Sequence, residues 1–348
     1  QAWAESPKMK MSTDIPASIT TPDRVETRIG TLEFFDGIPT KETSQLVYDY
    51  LDFSRAKEAF LNGIPAASIE GLRLGAASLG AKNSNQVLYF DKLMDSKALF
   101  LTGNTSTVYC SPFLDLKKDG PTVVEIPAGA GPGTVNDAFF RFVIDMGAPG
   151  PDKGKGGKYL ILPPDYEGEL EGPIGGKAQV IDGETYFVAK STSYVNFIGL
   201  RGFLVDGKPD AAAKMWRDGL KIYPLARKDN PPQMEFISGS GKSFNTIHAN
   251  NFEFYEELHT VIEREPVEML DPELRGRSLR HEPRRLRGPR QLQLAARGGG
   301  DPGEDALGHR ASGCRGARHH LHHRALPGGR AALRQNALGV HDVPHVYD

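Results

Sequence analysis

The chain changes character at residue 276, and that break limits where a core can be built. Residues 276–348 carry 13 Arg and no Lys against 6 acidic residues, a local charge of +7. They hold no Ile, Phe, Met, Thr or Trp, and Tyr347 is their single aromatic residue. A segment this poor in β-branched and aromatic side chains cannot easily bury enough apolar area to offset the entropy of ordering its backbone. Residues 1–275 hold the other 29 basic and 38 acidic side chains, a charge of −9. The overall charge of −2 is therefore an average over two unlike parts.

Four readings of the tail compete. An arginine-rich run neutralises phosphates on nucleic acid or an acidic membrane face. His319, His320, His322 and His323 form a possible metal cluster. A basic, disordered tail is the plain reading. Composition favours a fourth: a GC-rich gene read one base out of phase yields Arg, Gly, Ala, Pro, His and Leu and starves the chain of Lys, Ile and Phe. On that reading the phase changes near Leu274–Ser278, and no nucleic-acid partner, metal or cofactor is expected.

The first 275 residues have the composition of a globular protein. No uninterrupted apolar stretch approaches the length of a membrane span. Two cysteines in the whole chain exclude a disulfide-stapled scaffold and a Cys-rich zinc module. Ala2-Trp3-Ala4 has the small-x-small form of a signal-peptidase site, so export to the periplasm or beyond is expected. Residues 1–20 read as an extended arm.

Apolar periodicity predicts a helix from Thr40 to Asn62, stopped by Gly63, and a shorter helix from Pro65 to Gly80. Tyr48, Tyr50 and Phe53 on the first helix suit core packing better than a ligand groove. From Asn83 the punctuation is that of a β protein, with short runs at Val87–Phe90, Ala98–Thr102, Ser106–Cys110 and Pro121–Ile126. Ala138–Met146 is expected to be a strand, with Phe140, Phe142, Ile144 and Met146 on one face and Phe139, Arg141, Val143 and Asp145 on the other. Asp182-Gly183, between two strand-like runs, is the best hairpin signal. Helices are expected again at Pro209–Arg217 and Asn251–Arg264.

Most local motifs fail on inspection. Gly239-Ser240-Gly241-Lys242-Ser243 lacks the earlier glycine of a phosphate loop, since position 236 is Phe. Gly154-Lys155-Gly156-Gly157-Lys158 precedes a strand, whereas a dinucleotide site needs glycines that lead into a helix. His248 and His259 lack the tight spacing of a metal site and read as part of a solvated face. Cys110 lies in an expected strand and reads as a buried, inert thiol. Asn104-Thr105-Ser106 is a glycosylation sequon by pattern and a turn by its plain reading.

Arg141 and Asp145 are charges among apolar strand residues. Four residues of strand put them roughly 13 Å apart, so each needs a cross-strand partner, with Arg201 and Asp115 suitable by type. Structural pairing is the plainer reading. A small-ligand site on a polar, concave sheet face is the other, and its catalytic candidates are Arg141, Asp145 and Arg201.

Several blocks resemble one protein family, the domain of unknown function 1254. They are Gly103-Asn104-Thr105-Ser106-Thr107-Val108-Tyr109, Asp115, and Pro121 to Pro127. Gly156 to Pro164, Ser240 to Ile247 and Phe254 to Leu258 follow in order. Within these blocks Asn104, Tyr109, Asp115 and Tyr159 are the candidate ligand-binding residues. The resemblance implies an exported bacterial protein with two β-sandwich-like domains joined by helices, the second being the unknown-function domain 1214. It brings no established reaction, so no catalytic residue follows from it. The chain departs from the family pattern after Leu274, where the second sandwich would begin, which agrees with the out-of-phase reading of the tail.

The expected architecture is α+β, mainly β: a β-sandwich or jelly-roll-like domain with flanking helices. Residues 21–206 would form the sandwich with its N-terminal helix pair, 207–275 a helical connecting region, and 276–348 the tail. A small-molecule-binding or envelope-associated role is expected, with a periplasmic hydrolase or lyase as the alternative.

Overall fold

The structure, a computed structural model, describes residues 15–100 and 103–279. Residues 1–14 of the expected arm, including Ala2-Trp3-Ala4, lie outside the described residues, as does the tail from residue 280 with its His319–His323 cluster.

Strands β1 (Arg24–Thr27), β2 (Gly30–Phe35) and β3 (Ile38–Pro39) form an antiparallel meander. Asp36 and Gly37, both at positive φ, make the second corner, the conformation that a two-residue hairpin turn requires. Thr40 then caps α1 (Lys41–Ser78), its hydroxyl accepting from the Thr43 N–H at 3.1 Å.

Helix α1 is one element where two were expected, and it runs through both punctuating residues. Gly63 does not end it. A Cβ there would lie 2.5 Å from a Leu258 methyl, so the glycine permits close helix packing. Pro65 lacks an N–H and disfavours a helix interior by about 3 kcal/mol. Burial of Ala66, Ala67 and Ile69 just beyond it offsets that cost. The expectation of core packing for Tyr48, Tyr50 and Phe53 also fails, because all three are exposed on the first half of the helix.

The chain continues through β4 (Gln86–Tyr89), β5 (Ala98–Leu99), β6 (Thr107–Ser111), β7 (Phe113–Asp115) and the single turn α2 (Leu116–Asp119). Next come β8 (Thr122–Ile126), β9 (Ala130–Asn136), β10 (Phe142–Gly147), β11 (Gly157–Leu162), β12 (Lys177–Ile181), β13 (Glu184–Lys190) and β14 (Val195–Phe203). Asp182 and Gly183, again both at positive φ, join β12 to β13 as the sequence indicated. The last elements are α3 (Asp210–Gly219), β15 (Lys221–Pro224), β16 (Glu235–Ser238), β17 (Phe244–Asn245), α4 (Glu253–Arg264) and α5 (Pro272–Leu279).

The seven-stranded sheet runs β10-β9-β14-β6-β4-β16, with β7 also pairing β14. A five-stranded sheet runs β12-β13-β11-β8-β15, and β17 pairs β5 in a two-stranded ribbon. The result is a mixed α/β topology of several sheets, none of them closed among the described residues. Strand spacing in the sequence marks where strands fall, but not how late strands reach back. Here β16 and β17 return across α3 to pair in parallel with β4 and β5. The largest core cluster takes Val108, Cys110, Val135, Ile144 and Leu200 from the larger sheet. Val124, Ile126, Tyr159 and Ile161 join it from the five-stranded sheet, and Trp216 from α3. A second cluster packs Ala66 and Ala67 of α1 against Phe254, Leu258 and Ile262 of α4.

The expected strand Ala138–Met146 begins only at Phe142. Residues 137–141 form a tight turn in which Phe140 sits at φ 62°. A bulge between Phe142 and Ile144 then alters the alternation. Val143 and Ile144 are both buried in consequence, while Phe140 and Phe142 are exposed instead of sharing the core face of Ile144 and Met146.

Candidate functional site

The bulge leaves Ile144 and Met146 on the core face and Asp145 on the opposite face of the larger sheet, paired with Thr134. Thr134 in turn pairs with Gly199 of β14. One step along the same face, Arg201 pairs with Tyr109 of β6. Phe197 and Asn136 pair in the row on the other side. This face forms the floor of a cavity of about 630 Å³. Ser68 and Leu72 of α1, Phe100, Phe140 and the segment Thr246-Ile247-His248 complete its lining.

That last segment lies directly on α1. A Cβ at Gly71 would stand 2.8 Å from the Thr246 carbonyl oxygen and 2.9 Å from the His248 nitrogen. At Gly75 it would stand 2.4 Å from the Asn245 carbonyl oxygen. Two glycines one helical turn apart therefore set the position of residues 245–248. Nδ1 of His248 lies 2.8 Å from the Ala249 carbonyl oxygen, which can only accept, so that nitrogen carries the proton. The His248 ring also meets Phe254 edge-on at 5.3 Å between centroids.

Two charges line the cavity without a charged partner. Arg201 and Asp145 make no ion pair or side-chain hydrogen bond among the described residues. The guanidinium carbon of Arg201 stands 5.3 Å from the centroid of the Tyr109 ring, a cation–π distance. The Tyr109 hydroxyl accepts from the Asn104 N–H at 3.1 Å. Asn104 is itself fixed, its side-chain oxygen accepting from the Ser106 N–H and from the Ser106 and Thr107 hydroxyls. Ser111 is 4% exposed, lines the cavity, and its Oγ has no hydrogen-bond partner among the described residues.

The structure thus brings together Asp145, Arg201 and Tyr109, with Asn104 positioning Tyr109 from behind. Arg141, Asp115 and Tyr159 lie elsewhere. Arg141 sits in the turn before β10, and its Nε donates to Asp137 at 2.6 Å. Its other nitrogens donate to the Met269 carbonyl and the Thr192 hydroxyl. The expected cross-strand partner, Asp115, instead caps α2 by accepting from the Lys118 N–H. Tyr159 is fully buried and its hydroxyl donates to Asp152. Burial pushes the phenol of Tyr159 up, and Asp152 adds to the effect. Burial alone pushes the Cys110 thiol up, consistent with an inert side chain.

Ser111, Phe100, Phe197, Gly199 and His248 are lining residues that the sequence reading did not select. His248 is half-buried at the cavity and not part of a solvated face. Gly199 carried a readable signal: a glycine inside the apolar run Phe197-Ile198-Gly199-Leu200 marks a place where something approaches the strand closely. Among the described residues no group of three His, Cys, Asp or Glu side chains is placed to hold a metal ion.

The cavity is thus a concave sheet face bordered by α1 and walled in part by the aromatic rings of Phe100, Tyr109, Phe140 and Phe197. Residues 84–224, which supply most of that floor, match the model of the family described as "Protein of unknown function (DUF1254)". Residues from α1 and from 246–248, on the rest of the lining, fall outside that span. No functionally curated protein matches the chain. Among solved structures, the crystal structure of the VPA0106 protein from Vibrio parahaemolyticus is similar, with 15% identity and a TM-score of 0.45. The similarity covers 70% of this chain and 56% of that one, so the chain spans little more than half that protein's length.

Proposed function

We propose that this chain is an exported small-molecule-binding protein whose ligand occupies the cavity on the outer face of the larger sheet. One observation carries the reading: Arg201 and Asp145 both line a single cavity of about 630 Å³, and neither has an ion-pair partner among the described residues. Arg201 is exposed and Asp145 half-buried, so water reaches both, and their donors and acceptors are free to exchange that water for a ligand. The volume falls in the range of about 300–1,000 Å³ usual for small-molecule sites. On this reading the two larger sheets act as the layers of a sandwich around their shared core, and residues 21–206 form the binding domain with its helix. Export rests on Ala2-Trp3-Ala4, and fractionation of producing cells tests it.

The binding test uses a neutral fluorescent amphiphile, N-phenyl-1-naphthylamine, whose emission rises in an apolar site. A Cβ at Gly199 would reach within 3.3 Å of the Phe197 ring, so a leucine there fills the floor. Gly199→Leu is expected to weaken dye binding at least tenfold with unchanged circular dichroism. Equal dye binding by both proteins would remove the proposal.

A hydrolase or lyase is the second reading, favoured by a carboxylate, Asp145, and a hydroxyl without a hydrogen-bond partner among the described residues, Ser111, that line the same cavity from β10 and β6, about 14 Å apart at 4.8 Å per strand. It would use Asp145 and Arg201 but not Arg141. A turnover found in substrate screening that survives Asp145→Asn unchanged would exclude Asp145 as its base.

A further inference from the structure

We infer, building on the binding reading above, that the cavity selects an elongated monocarboxylate. Its anion meets Arg201, its flat apolar body lies across Gly199, and its far end donates a hydrogen bond to Asp145.

The two charges stand at opposite ends of the floor. Arg201 is on β14 and its guanidinium lies over Tyr109 of β6. Asp145 is on β10, two strands away from β14 in the other direction. At about 4.8 Å per strand and one two-residue step along the strand, their backbones are about 12 Å apart. That separation suits a ligand with two distinct polar ends. It does not suit the adjoining amine and carboxylate of a free amino acid.

Each end reads a different group. Guanidinium is a planar fork of donors that matches a carboxylate with two parallel bonds. Its carbon lies over the Tyr109 ring at 5.3 Å, and its donors meet no acceptor among the described residues. Tyr109 is preset as a platform because Asn104 holds its hydroxyl. The Asp145 carboxylate only accepts, so it favours a hydroxyl or ammonium and repels a second carboxylate. Between the two ends Gly199 has no side chain to lift a ligand off the sheet. Phe140 and Phe197, stacked at 6.3 Å and 25°, flank the path. A flat hydrocarbon body fits that space.

The test measures displacement of N-phenyl-1-naphthylamine by three rigid probes: 6-hydroxy-2-naphthoate, 6-hydroxy-2-naphthamide and naphthalene-2,6-dicarboxylate. The hydroxy acid is expected to displace dye at a concentration at least tenfold lower than either of the others. Arg201→Met should bring the acid to the level of the amide. Asp145→Asn should improve the dicarboxylate about tenfold. Equal displacement by acid and amide, with dye binding intact and still blocked by Gly199→Leu, overturns the charge selection and leaves the binding reading standing. Failure of the dye to bind, or binding that Gly199→Leu does not weaken, overturns both.

Discussion

Removing the Asp137 carboxylate should damage the fold far more than removing the Arg141 guanidinium that it holds. Asp137 is 1% exposed. One carboxylate oxygen accepts from the Phe139 N–H at 2.8 Å and the Arg141 N–H at 2.9 Å. The other accepts from Arg141 Nε and the Thr192 hydroxyl, both at 2.6 Å. Asp137→Ala therefore strands two backbone donors and uncouples a guanidinium and a hydroxyl at once. Breaking a buried pair from one side costs about 3–5 kcal/mol, and hydrogen bonds to a charged group are worth about 1.5–3 kcal/mol each without adding fully. A loss of about 4 kcal/mol follows, or roughly 8–16 °C in melting temperature for a domain of this size. Arg141→Met leaves Asp137 three of its four partners, and the arginine side chain is 47% exposed. Its cost should be about 1–2 kcal/mol. Thermal melts followed by circular dichroism compare the two variants, and dye titration reports the cavity. The expected pattern is a large loss for Asp137→Ala, a small loss for Arg141→Met, and normal dye binding by Arg141→Met. If Arg141→Met abolished binding without moving the melt, Arg141 would be a ligand contact and this account of the turn would fail.

Two further outcomes follow from α1. Glu70 is 2% exposed and accepts from Arg73 at 2.6 and 2.9 Å and from Arg264 at 3.1 Å. Burial pushes its carboxyl up, but the hydrogen bond from Arg73 and the charges of Arg264 and Arg73 outweigh that and hold it below the ordinary carboxylate value. A lowered value in the folded state means stability present above the unfolded value and lost as pH falls through the folded one. Glu70→Gln should therefore cost about 3 kcal/mol at neutral pH, and the gap to wild type should shrink in urea melts carried below pH 4.5, the ordinary value; a gap independent of pH would contradict the assignment. Gly71→Ala forces a Cβ against the backbone at Thr246 and His248. A loss of about 1–3 kcal/mol is expected, together with weaker dye binding, and a variant as stable and as competent as wild type would show that residues 246–248 are not held by α1.

Legibility in the sequence followed the range of the forces involved. The Asp182-Gly183 hairpin and helix α4 were readable because a turn dipeptide and an apolar stripe act locally. Helix α1 was misjudged at Gly63 and Pro65 because what carries it through them is distant: Leu258 fills the space over Gly63. The strand before Gly147 was misplaced because alternation assumes an unbroken pleat, and neither the positive φ of Phe140 nor the bulge at Val143 has a local signature. Tyr159 and Asp115 were nominated from family blocks. In the fold one is a buried phenol on Asp152 and the other the cap of α2, contacts that membership of a sequence block does not distinguish from a ligand site.

The three charges that the sequence singled out, Arg141, Asp145 and Arg201, are treated differently by the fold. A charge among apolar residues says only that some compensation exists, and it does not say whether protein, solvent or ligand supplies it. Arg141 has Asp137 four residues earlier, and a tight turn folds that carboxylate under it, so its compensation is internal. Asp145 sits past the bulge, opposite Thr134, which bears no charge, and Arg201 is opposite an aromatic ring. Neither neighbour can neutralise a full charge. The bulge that spoiled the sequence-derived alternation also shapes the cavity. It buries Val143 and Ile144 together, and on the far side of the sheet it leaves Asp145 facing the same cavity as Arg201.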